Sequence, residues 1–538
     1  MLYSFTEDDM GIYLNPGNEL FAQISKNKIY VDKSGMIPAL IEVFERWNQY
    51  VCVSRPRRFG KTVIGNMLCA YFSKGCNSKE LFKNSIGSKD PIFEKYLNKV
   101  NVIKIDLNSE YQNIEDKENF ISIICKRINK ELANEFPECK IDIADELPYN
   151  LIYIYTQTKE KFVIIIDEYD ILVREVVSGN ISDELFNKYL AFLNGLFKNT
   201  TLQPAITLAY LTGILPIIRE KIQSKFNNFT EYTMLGSNGL APYIGFTAEE
   251  TKAICDKNNF NYEECKRWYD GYKLENVGLY NPRSVLESIR NNKIQSYWGQ
   301  TSTYEVISDY IGMNFDGTKD EVIKMISGDY IDVNVTSYKN TMTGFKTRDD
   351  VFTYLIHLGY LAYNSKKEQC YIPNREVQGE WINALKICAD YSTTNKIIEA
   401  SKQLLEETFN GNEDAVAKSL DESHIHVTSN RSYNNEDALH CAIYLSYIYA
   451  LNKYNAYREI PAGKGIADMT YVPVLPDLPA LIFELKHNGI AETALNQIKE
   501  KKYYDSLSNY SGNLIFIGIN YDEKTKTHTC KIERFIKE

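Results

Sequence analysis

Short apolar runs alternate with longer amphipathic segments between about residues 50 and 212. This alternation is typical of a parallel β-sheet wrapped by α-helices. Residues 162–166 are continuously apolar, as expected for a central strand that is buried on both faces. We therefore predict an α/β fold here, and the predicted strands are 50–54, 102–107, 162–167 and 205–212.

The pattern changes further along the chain. Helical periodicity dominates from about 241 to 411, where 352–372 indicates a helix followed by a hairpin. That element is either a small winged-helix-like module or a plain helix and hairpin without a DNA role. From about 412 the order returns to α/β, with predicted helices at 435–451 and 491–507 and predicted strands at 466–474, 480–486 and 513–519.

Length and composition narrow the class of protein. A chain of 538 residues is too long for one hydrophobic core, so we expect several domains. No apolar run approaches the roughly 20 residues that span a bilayer, and the first residues lack the basic and apolar stretches of a secretory signal. We therefore expect a cytoplasmic protein with no membrane partner. The net charge of −10 confines any contact with nucleic acid to a local basic surface.

The segment 54–62 lies between a predicted strand and a predicted helix, as a phosphate-binding loop must. Gly60 allows close approach of the backbone, Lys61 can bind the β and γ phosphates of a nucleotide, and Thr62 can bind Mg²⁺. Arg55 stands where the usual pattern has its first glycine, and Arg57 and Arg58 make the loop unusually basic.

A second motif follows in the expected order. The apolar strand 162–166 delivers Asp167 for the magnesium ion and Glu168 for the attacking water. Two motifs in the right order predict ATP binding and hydrolysis far more strongly than either alone. Thr212 closes another apolar strand and could contact the γ phosphate, and Arg219 could act in trans; a strand cap and a solvated arginine are the alternatives.

Near the C-terminus, Glu484 and Lys486 alternate with apolar residues on one predicted strand and so share a face. Asp468 lies on the preceding predicted strand, and antiparallel pairing would bring the two carboxylates together. Two carboxylates can hold Mg²⁺, and Lys486 would orient a water or stabilise charge. Glu436 and Gln497, on the flanking helices, are further candidates for this site. A solvated strand face is the alternative.

These residues resemble the bacterial AAA-ATPase-like proteins that carry a PD-(D/E)xK domain of the DUF1703 type. The resemblance covers nearly the whole chain and rests on the segments 30–34, 55–62, 167–170, 212–213, 245–247, 268–272, 280–282, 372–377 and 464–468. It implies that the loop of Arg55, Arg57, Arg58 and Phe59 is the family's own variant and retains nucleotide binding. It also implies a nuclease-type role for Asp468, Glu484 and Lys486.

We accordingly expect three domains: a P-loop AAA-ATPase-like domain at 1–240, a helical lid and winged-helix-like region at 241–411, and a PD-(D/E)xK α/β domain at 412–538. The leading hypothesis is an ATPase coupled to a Mg²⁺-dependent DNA nuclease, which would fit mobile-element processing or defence against foreign DNA. A homo-oligomer formed through the ATPase domain is a further expectation. The alternatives are a nucleotide-switched protein that binds nucleic acid or a partner without cutting, and an ATPase without any nucleic-acid partner.

Overall fold

The computed structural model of the chain describes residues 11–177, 179–217, 228–300, 305–313, 315, 318–336, 338, 345–387, 392–427, 436–462, 465–474, 477–507, 510 and 512–536. Over these residues the chain forms two compact units. The first comprises Met1–Thr303, Asn314–Thr318 and Tyr330–Glu380, and the second comprises Tyr304–Met313, Lys319–Asp329 and Trp381–Glu538. The division into three domains at 240 and 411 stays a prediction.

The helices of the described residues, in chain order, are α1 Glu19–Ser25, α2 Met36–Arg46, α3 Lys61–Phe72, α4 Lys79–Phe82, α5 Leu107–Asn113, α6 Phe120–Glu135, α7 Leu147–Thr158, α8 Ile171–Val177, α9 Asp183–Phe197, α10 Ala248–Lys257, α11 Tyr262–Tyr269, α12 Pro282–Arg290, α13 Glu305–Ile311, α14 Thr318–Ile326, α15 Arg348–Leu358, α16 Arg375–Ile387, α17 Ser392–Asn410, α18 Glu413–Val427, α19 Glu436–Ser446 and α20 Ala491–Glu500. The strands are β1 Tyr50–Ser54, β2 Asn101–Asp106, β3 Phe162–Asp167, β4 Ile206–Gly213, β5 Thr230–Tyr232, β6 Phe246–Thr247, β7 Tyr272–Leu274, β8 Val277–Tyr280, β9 Ile331–Asp332, β10 Ala362–Asn364, β11 Gln369–Tyr371, β12 Tyr454–Ala462, β13 Gly465–Pro473, β14 Ala480–His487, β15 Leu514–Asp522 and β16 Thr527–Phe535.

A five-stranded parallel sheet, in the order β2-β3-β4-β1-β5, organises the first unit. Every residue of β1 and β3 is buried, because helices cover both faces of the sheet. The order places β4 between β1 and β3, so the carboxyl ends of these three strands meet at one edge. Ligands of open α/β sheets bind at such an edge, where the strand order reverses.

Two small antiparallel sheets complete the first unit, one in the order β6-β8-β7 and the other in the order β10-β11-β9. The predicted helix and hairpin at 352–372 are confirmed as α15, β10 and β11, and β9 adds a third strand that the sequence did not indicate. A winged-helix role in DNA binding stays a prediction.

The second unit contains a mixed sheet in the order β12-β13-β14-β15-β16. Only the β14–β15 pair is parallel within this sheet, and α20 connects these two strands. One face packs Ile482 and Phe516 against Leu495 and Ile498 of α20. On the other face Phe483 contacts the ring of Tyr447 at 4.9 Å between centroids.

The predicted α/β class is confirmed, and the predicted strands 50–54, 102–107, 162–167 and 205–212 correspond to β1 to β4 within one residue at each end. In the second unit, β13, β14, α20 and β15 were predicted, whereas β12 and β16 were not. Along the described part of the chain, no α-helix combines the length and the apolar composition that crossing a membrane would need.

Candidate phosphate-binding and carboxylate sites

The loop between β1 and α3 places the first turn of α3 at the carboxyl edge of the parallel sheet. Gly60 precedes the helix with φ 90°, in the left-handed region that glycine adopts without steric cost, and Arg58 has φ 70°. The loop thus turns sharply before Lys61, where α3 begins. Its unpaired backbone N–H groups and positive dipole end make this turn a natural site for an anion.

Lys61 is held in place by its own loop. Its side chain is buried, and Nζ donates to the carbonyl oxygens of Arg55 and Pro56, each at 3.0 Å. Nζ also lies 3.8 Å from Oε1 of Glu168. Burial lowers the pKa of Lys61, and the neighbouring carboxylate of Glu168 opposes that shift. These contacts orient the ammonium group at the edge of the sheet.

Arg55 takes a different position from the other loop arginines. Its side chain is fully buried, and Nη1 donates to the carbonyl oxygens of Ser54 at 2.9 Å and Tyr232 at 3.0 Å. Burial lowers the pKa of Arg55 to about 10. In this arrangement the guanidinium group joins β1 to β5 instead of lying on the surface of the loop.

The rest of the loop is fixed by residues that come later in the first unit. Arg58 donates from Nη1 to the carbonyl oxygens of Tyr297 and Trp298. Phe59 is buried and packs edge-on against Tyr272, with 5.3 Å between ring centroids. Arg57, the residue before them, is exposed.

Tyr297 and Trp298 form a turn that holds Arg58, and Glu376 supports this turn. Its buried carboxylate accepts from the backbone N–H groups of Tyr297 at 2.7 Å and Trp298 at 3.0 Å, and from the hydroxyl of Ser284 at 2.8 Å. Burial raises the pKa of Glu376 to about 7, although these hydrogen bonds lower it. The carboxylate thereby fixes the turn whose carbonyl groups hold Arg58.

The acidic end of β3 lies next to the loop. Asp167 is buried, and its strand register places it beside Thr212 of β4, which is itself level with Val53 of β1. Burial raises the pKa of Asp167, and a hydrogen bond from Thr62 opposes this. The hydroxyl Oγ1 of Thr212 is buried and has no hydrogen-bond partner among the described residues.

Glu168 directly follows β3 with φ 52°, and its carboxylate is paired. It accepts from Nη2 of Arg174 at 2.7 Å. Nε of Arg174 also lies 3.3 Å from Oδ2 of Asp170, which accepts the backbone N–H groups of Ile214 and Leu215. Burial raises the pKa of Glu168, and the charges of Lys61 and Arg174 lower it. Arg174 was not predicted, although its i+4 spacing from Asp170 on a helix was a usable signal.

In the second unit, β13 and β14 bring two carboxylates together. The antiparallel pairs Met469↔Phe483 and Thr470↔Ile482 put Asp468 and Glu484 at the next facing position. Asp468 accepts the backbone N–H of Leu485 through Oδ2 at 2.7 Å, which fixes its carboxylate against β14. The facing arrangement expected from the sequence is therefore found.

Glu484 is buried, with 2% of its surface exposed, and its two oxygens differ. Oε1 accepts from Nζ of Lys486 at 2.9 Å and from the amide of Gln497. Oε2 is buried and has no hydrogen-bond partner among the described residues. Burial raises the pKa of Glu484, and Lys486 opposes that shift. A buried carboxylate oxygen without a donor is suited to ligate a cation.

The residues around this pair come mainly from α20 and the turn after it. Gln497 donates to the hydroxyl of Tyr503 at 3.0 Å as well as to Glu484. Tyr503 is buried, and no signal in the sequence pointed to it. Glu436 is the first residue of α19, and its side chain lies outside what the structure describes.

Within the described residues, no cluster of three or more His, Cys, Asp or Glu side chains is arranged to hold a metal ion. Asp468 and Glu484 supply two carboxylates at this edge. Mg²⁺ accepts such a set because it retains several waters. The unpartnered Oε2 of Glu484 and the facing Asp468 therefore fit a magnesium ion.

Comparison with known families agrees with this geometry. Residues 17–223, which contain the loop, Asp167 and Glu168, match the family model described as a predicted AAA-ATPase. Residues 434–531 match the PD-(D/E)XK nuclease superfamily. The chain thus carries an AAA-ATPase-like region followed by a region of the PD-(D/E)XK superfamily, and Asp468, Glu484, Lys486 and Gln497 all lie within the latter. The DUF1703 type stays a prediction.

A curated relative is the "Uncharacterized protein in vnfD 5′ region" of Azotobacter chroococcum mcd 1, which is 23% identical over 316 residues. The match covers 55% of this chain and 55% of the relative, so the chain spans about half the length of the curated relative it matches. Among solved structures, the Walker-type ATPase of Pyrococcus abyssi is 12% identical, with 65% of this chain and 94% of that chain covered and a TM-score of 0.34. The ORC2 protein of Aeropyrum pernix is 10% identical, with coverages of 68% and 97% and a TM-score of 0.31.

The structure brings together most of the residues singled out in the sequence. Lys61, Thr62, Asp167, Glu168 and Thr212 share one edge of the parallel sheet. In the second unit, Glu484 contacts Lys486 and Gln497, and Asp468 accepts the backbone N–H of Leu485, the residue after Glu484. Arg55, Arg58 and Phe59 instead contact protein groups around the loop. Arg219 and Lys464 lie outside the described residues.

Proposed function

We propose that this chain binds and hydrolyses ATP at the loop of the first unit and cleaves DNA at the Asp468–Glu484 site of the second, with Mg²⁺ required at both. The observation that carries the nuclease half is the facing carboxylate pair beside Lys486, in which Glu484 is buried and its Oε2 has no donor among the described residues. The match of 434–531 to a nuclease superfamily supports the same conclusion.

At the nucleotide site each residue has a distinct role. The N–H groups of Gly60 and of the first turn of α3 bind the phosphates, with Lys61 at the β and γ phosphates and the exposed Arg57 beside them. Thr62 and Asp167 hold the magnesium ion that accompanies ATP. Glu168 orients the attacking water after it exchanges its contact with Arg174, and Thr212 contacts the γ phosphate.

Arg55, Arg58 and Phe59 act at this site through the shape of the loop. Arg55 anchors its base to β5, and Arg58 and Phe59 anchor its tip to Tyr297 and Tyr272. A loop without the usual first glycine can in this way keep its backbone N–H groups aimed at the phosphates.

At the carboxylate site, Asp468 and Glu484 hold the metal ion, and Gln497 fixes the orientation of Glu484. A magnesium ion there would polarise a phosphodiester and lower the pKa of a water. Lys486 can leave Glu484 and stabilise the charge that develops on the phosphate. Glu436 is a further candidate to orient water.

Cleavage of supercoiled plasmid and of linear DNA by the full chain tests this proposal, with Mg²⁺ or Mn²⁺ and with or without ATP. We expect metal-dependent cleavage that Asp468→Ala and Lys486→Ala abolish. Cleavage that is unchanged in both variants would overturn the nuclease assignment. DNA binding and ATP hydrolysis without cleavage under any condition would favour the nucleotide-switched binding protein instead.

Control by ATP, a role in mobile-element processing or defence, a cytoplasmic location and assembly through the ATPase-like region stay predictions. The molecular mass of the chain with and without ATP would test the last of them directly.

A further inference from the structure

A second lysine lies close to the carboxylate pair. Lys501 caps the C-terminus of α20, and its backbone N–H donates to the carbonyl oxygen of Gln497 at 3.0 Å. Residues four apart share one face of a helix, so Lys501 lies on the face that carries Gln497. Because Gln497 donates to Glu484, this face is directed toward the carboxylate site.

Gly465 on β13 leaves space for the side chain of Lys501. A Cβ atom at Gly465 would lie 2.7 Å from Cδ of Lys501 and 3.0 Å from the ring of Tyr503. Gly465 begins β13, three residues before Asp468. Glycine at this position leaves room for the lysine stem and the tyrosine ring, which would have to shift if a Cβ were present.

The charge of Lys501 remains available, unlike those of Lys486, Lys499 and Lys531. Lys486 pairs with Glu484, Lys499 with Glu533 at 3.0 Å, and Lys531 with Glu413 at 2.6 Å. Lys501 is exposed and has no carboxylate within ion-pair distance among the described residues. Its charge nevertheless contributes to lowering the pKa of Glu484, as expected for a cation at the rim of the site.

We propose that Lys501 binds a phosphate of the nucleic-acid strand beside the one that is cleaved, and so holds the strand over Asp468 and Glu484. This inference rests on the proposed nuclease function. A polyanion that approaches two carboxylates on a chain with a net charge of −10 is repelled unless fixed cations receive it. The unpaired ammonium group at the rim supplies such a cation, and phosphate contacts of this kind set the register of a strand without reading its sequence.

The experiment compares Lys501→Gln with Lys501→Arg and with the matched control Lys502→Gln, all in the full chain. Lys502 is the next residue, is also exposed and loses the same charge. Binding to short duplex DNA and to single-stranded DNA and RNA is measured without divalent metal as a function of salt concentration. Cleavage is then measured with Mg²⁺, and thermal unfolding shows that each variant is folded.

We expect Lys501→Gln to weaken binding roughly tenfold at low salt and to reduce the salt slope by about 1, with Lys501→Arg and Lys502→Gln near wild type. An equal effect of the two Gln variants would overturn the role of Lys501 while leaving the nuclease proposal intact. Wild-type chain that neither binds nor cleaves any of the nucleic acids would overturn both. If the wild type binds nucleic acid without cleaving it, a salt slope reduced by about 1 in Lys501→Gln would still support the role of Lys501, and an unchanged slope would overturn it.

Discussion

The two acidic sites are built from the same kind of residue but differ in how their charges are balanced. At the end of β3, Glu168 is paired with Arg174 and lies near Lys61, whose other contacts are backbone carbonyls. On β14, Oε1 of Glu484 accepts from Lys486 and Gln497, whereas Oε2 has no donor among the described residues. The first site thus presents the oriented ammonium group of Lys61, which can bind an anion. The second presents Oε2 of Glu484, which can bind a cation.

The largest expected effect comes from Glu484→Gln, which keeps the volume of the side chain and removes its charge. Without this ligand we expect cleavage to fall by about 10³-fold, since metal stabilisation of a reacting phosphate is worth several kcal/mol. Calorimetric titration of Mg²⁺ and a plasmid cleavage assay measure the two losses. Glu492→Gln, on an exposed position of α20, is the control. If Glu484→Gln bound Mg²⁺ as tightly as the wild type, Glu484 would not be a metal ligand, and the proposed difference between the two sites would be wrong.

Lys61→Ala tests the other half of the comparison. Loss of a fixed cation at the transferred phosphate should lower kcat/KM for ATP by about 10²-fold to 10³-fold. DNA cleavage measured without nucleotide should remain at the wild-type level. Lys252→Ala, an exposed residue paired with Asp256, serves as the control. Unaltered ATP hydrolysis in Lys61→Ala would refute the assigned role of the loop.

Thr212→Val tests whether the buried hydroxyl of Thr212 contacts the bound nucleotide. The hydroxyl has no partner in the described residues, so its loss should leave the free energy of unfolding unchanged or raise it by about 1 kcal/mol. ATP hydrolysis should fall about tenfold or more, as for the removal of a positioned polar group. Thr251 is also buried with a hydroxyl that has no partner in the described residues, so Thr251→Val should have the same effect on the free energy of unfolding and leave ATP hydrolysis unchanged. Equal rates in the two variants would show that Thr212 has no part in the reaction.

Glu376→Ala would weaken the turn of Tyr297 and Trp298 that holds Arg58. It leaves the N–H groups of Tyr297 and Trp298 without their acceptor, and each unsatisfied buried group costs about 1–3 kcal/mol. We expect a lower Tm and, because Arg58 loses its fixed carbonyl partners, a higher KM for ATP. Glu376→Gln keeps one acceptor oxygen and should restore most of both. A normal Tm in Glu376→Ala would show that the carboxylate does not support the turn.

The smallest effect concerns the pH dependence of stability. Burial raises the pKa of Glu376 from 4.5 to about 7, so the folded chain retains a proton that the unfolded chain releases. The contribution of Glu376 to stability is therefore complete below about pH 4.5 and is lost as pH rises toward 7. Between these two pH values, the free energy of unfolding measured in urea should fall less with rising pH in Glu376→Gln than in the wild type. Identical slopes in wild type and variant would contradict the raised pKa.

Much of this architecture was readable from the sequence, because β1, β3 and β14 are apolar runs that end in chemically informative residues. The strands that escaped prediction carry weak patterns: β5 has three residues, β12 contains Pro461, and β16 is largely polar because it lies at the edge of its sheet. Apolar periodicity alone could not have located them.

The site residues divide in the same way. Lys61, Asp167, Asp468, Glu484 and Lys486 lie at fixed distances from strand ends, so local patterns identify them. The supporting residues act over long separations: Glu376 accepts hydrogen bonds from residues about 80 positions earlier, and Gly465 lies close to Lys501 at the end of α20. Only the folded chain brings such pairs together, and no spacing rule predicts them.

The parallel pairing of β14 with β15 has a consequence for how this chemistry can be inherited. Parallel neighbours cannot be joined by a tight turn, so the chain must leave the sheet through α20 and come back. Glu484, Lys486, Gln497, Lys501 and Tyr503 consequently travel on one uninterrupted stretch, while Asp468 is supplied from outside it. Exchange of that single segment by recombination would therefore carry these five residues of the proposed site together, while Asp468 would have to come from the recipient chain.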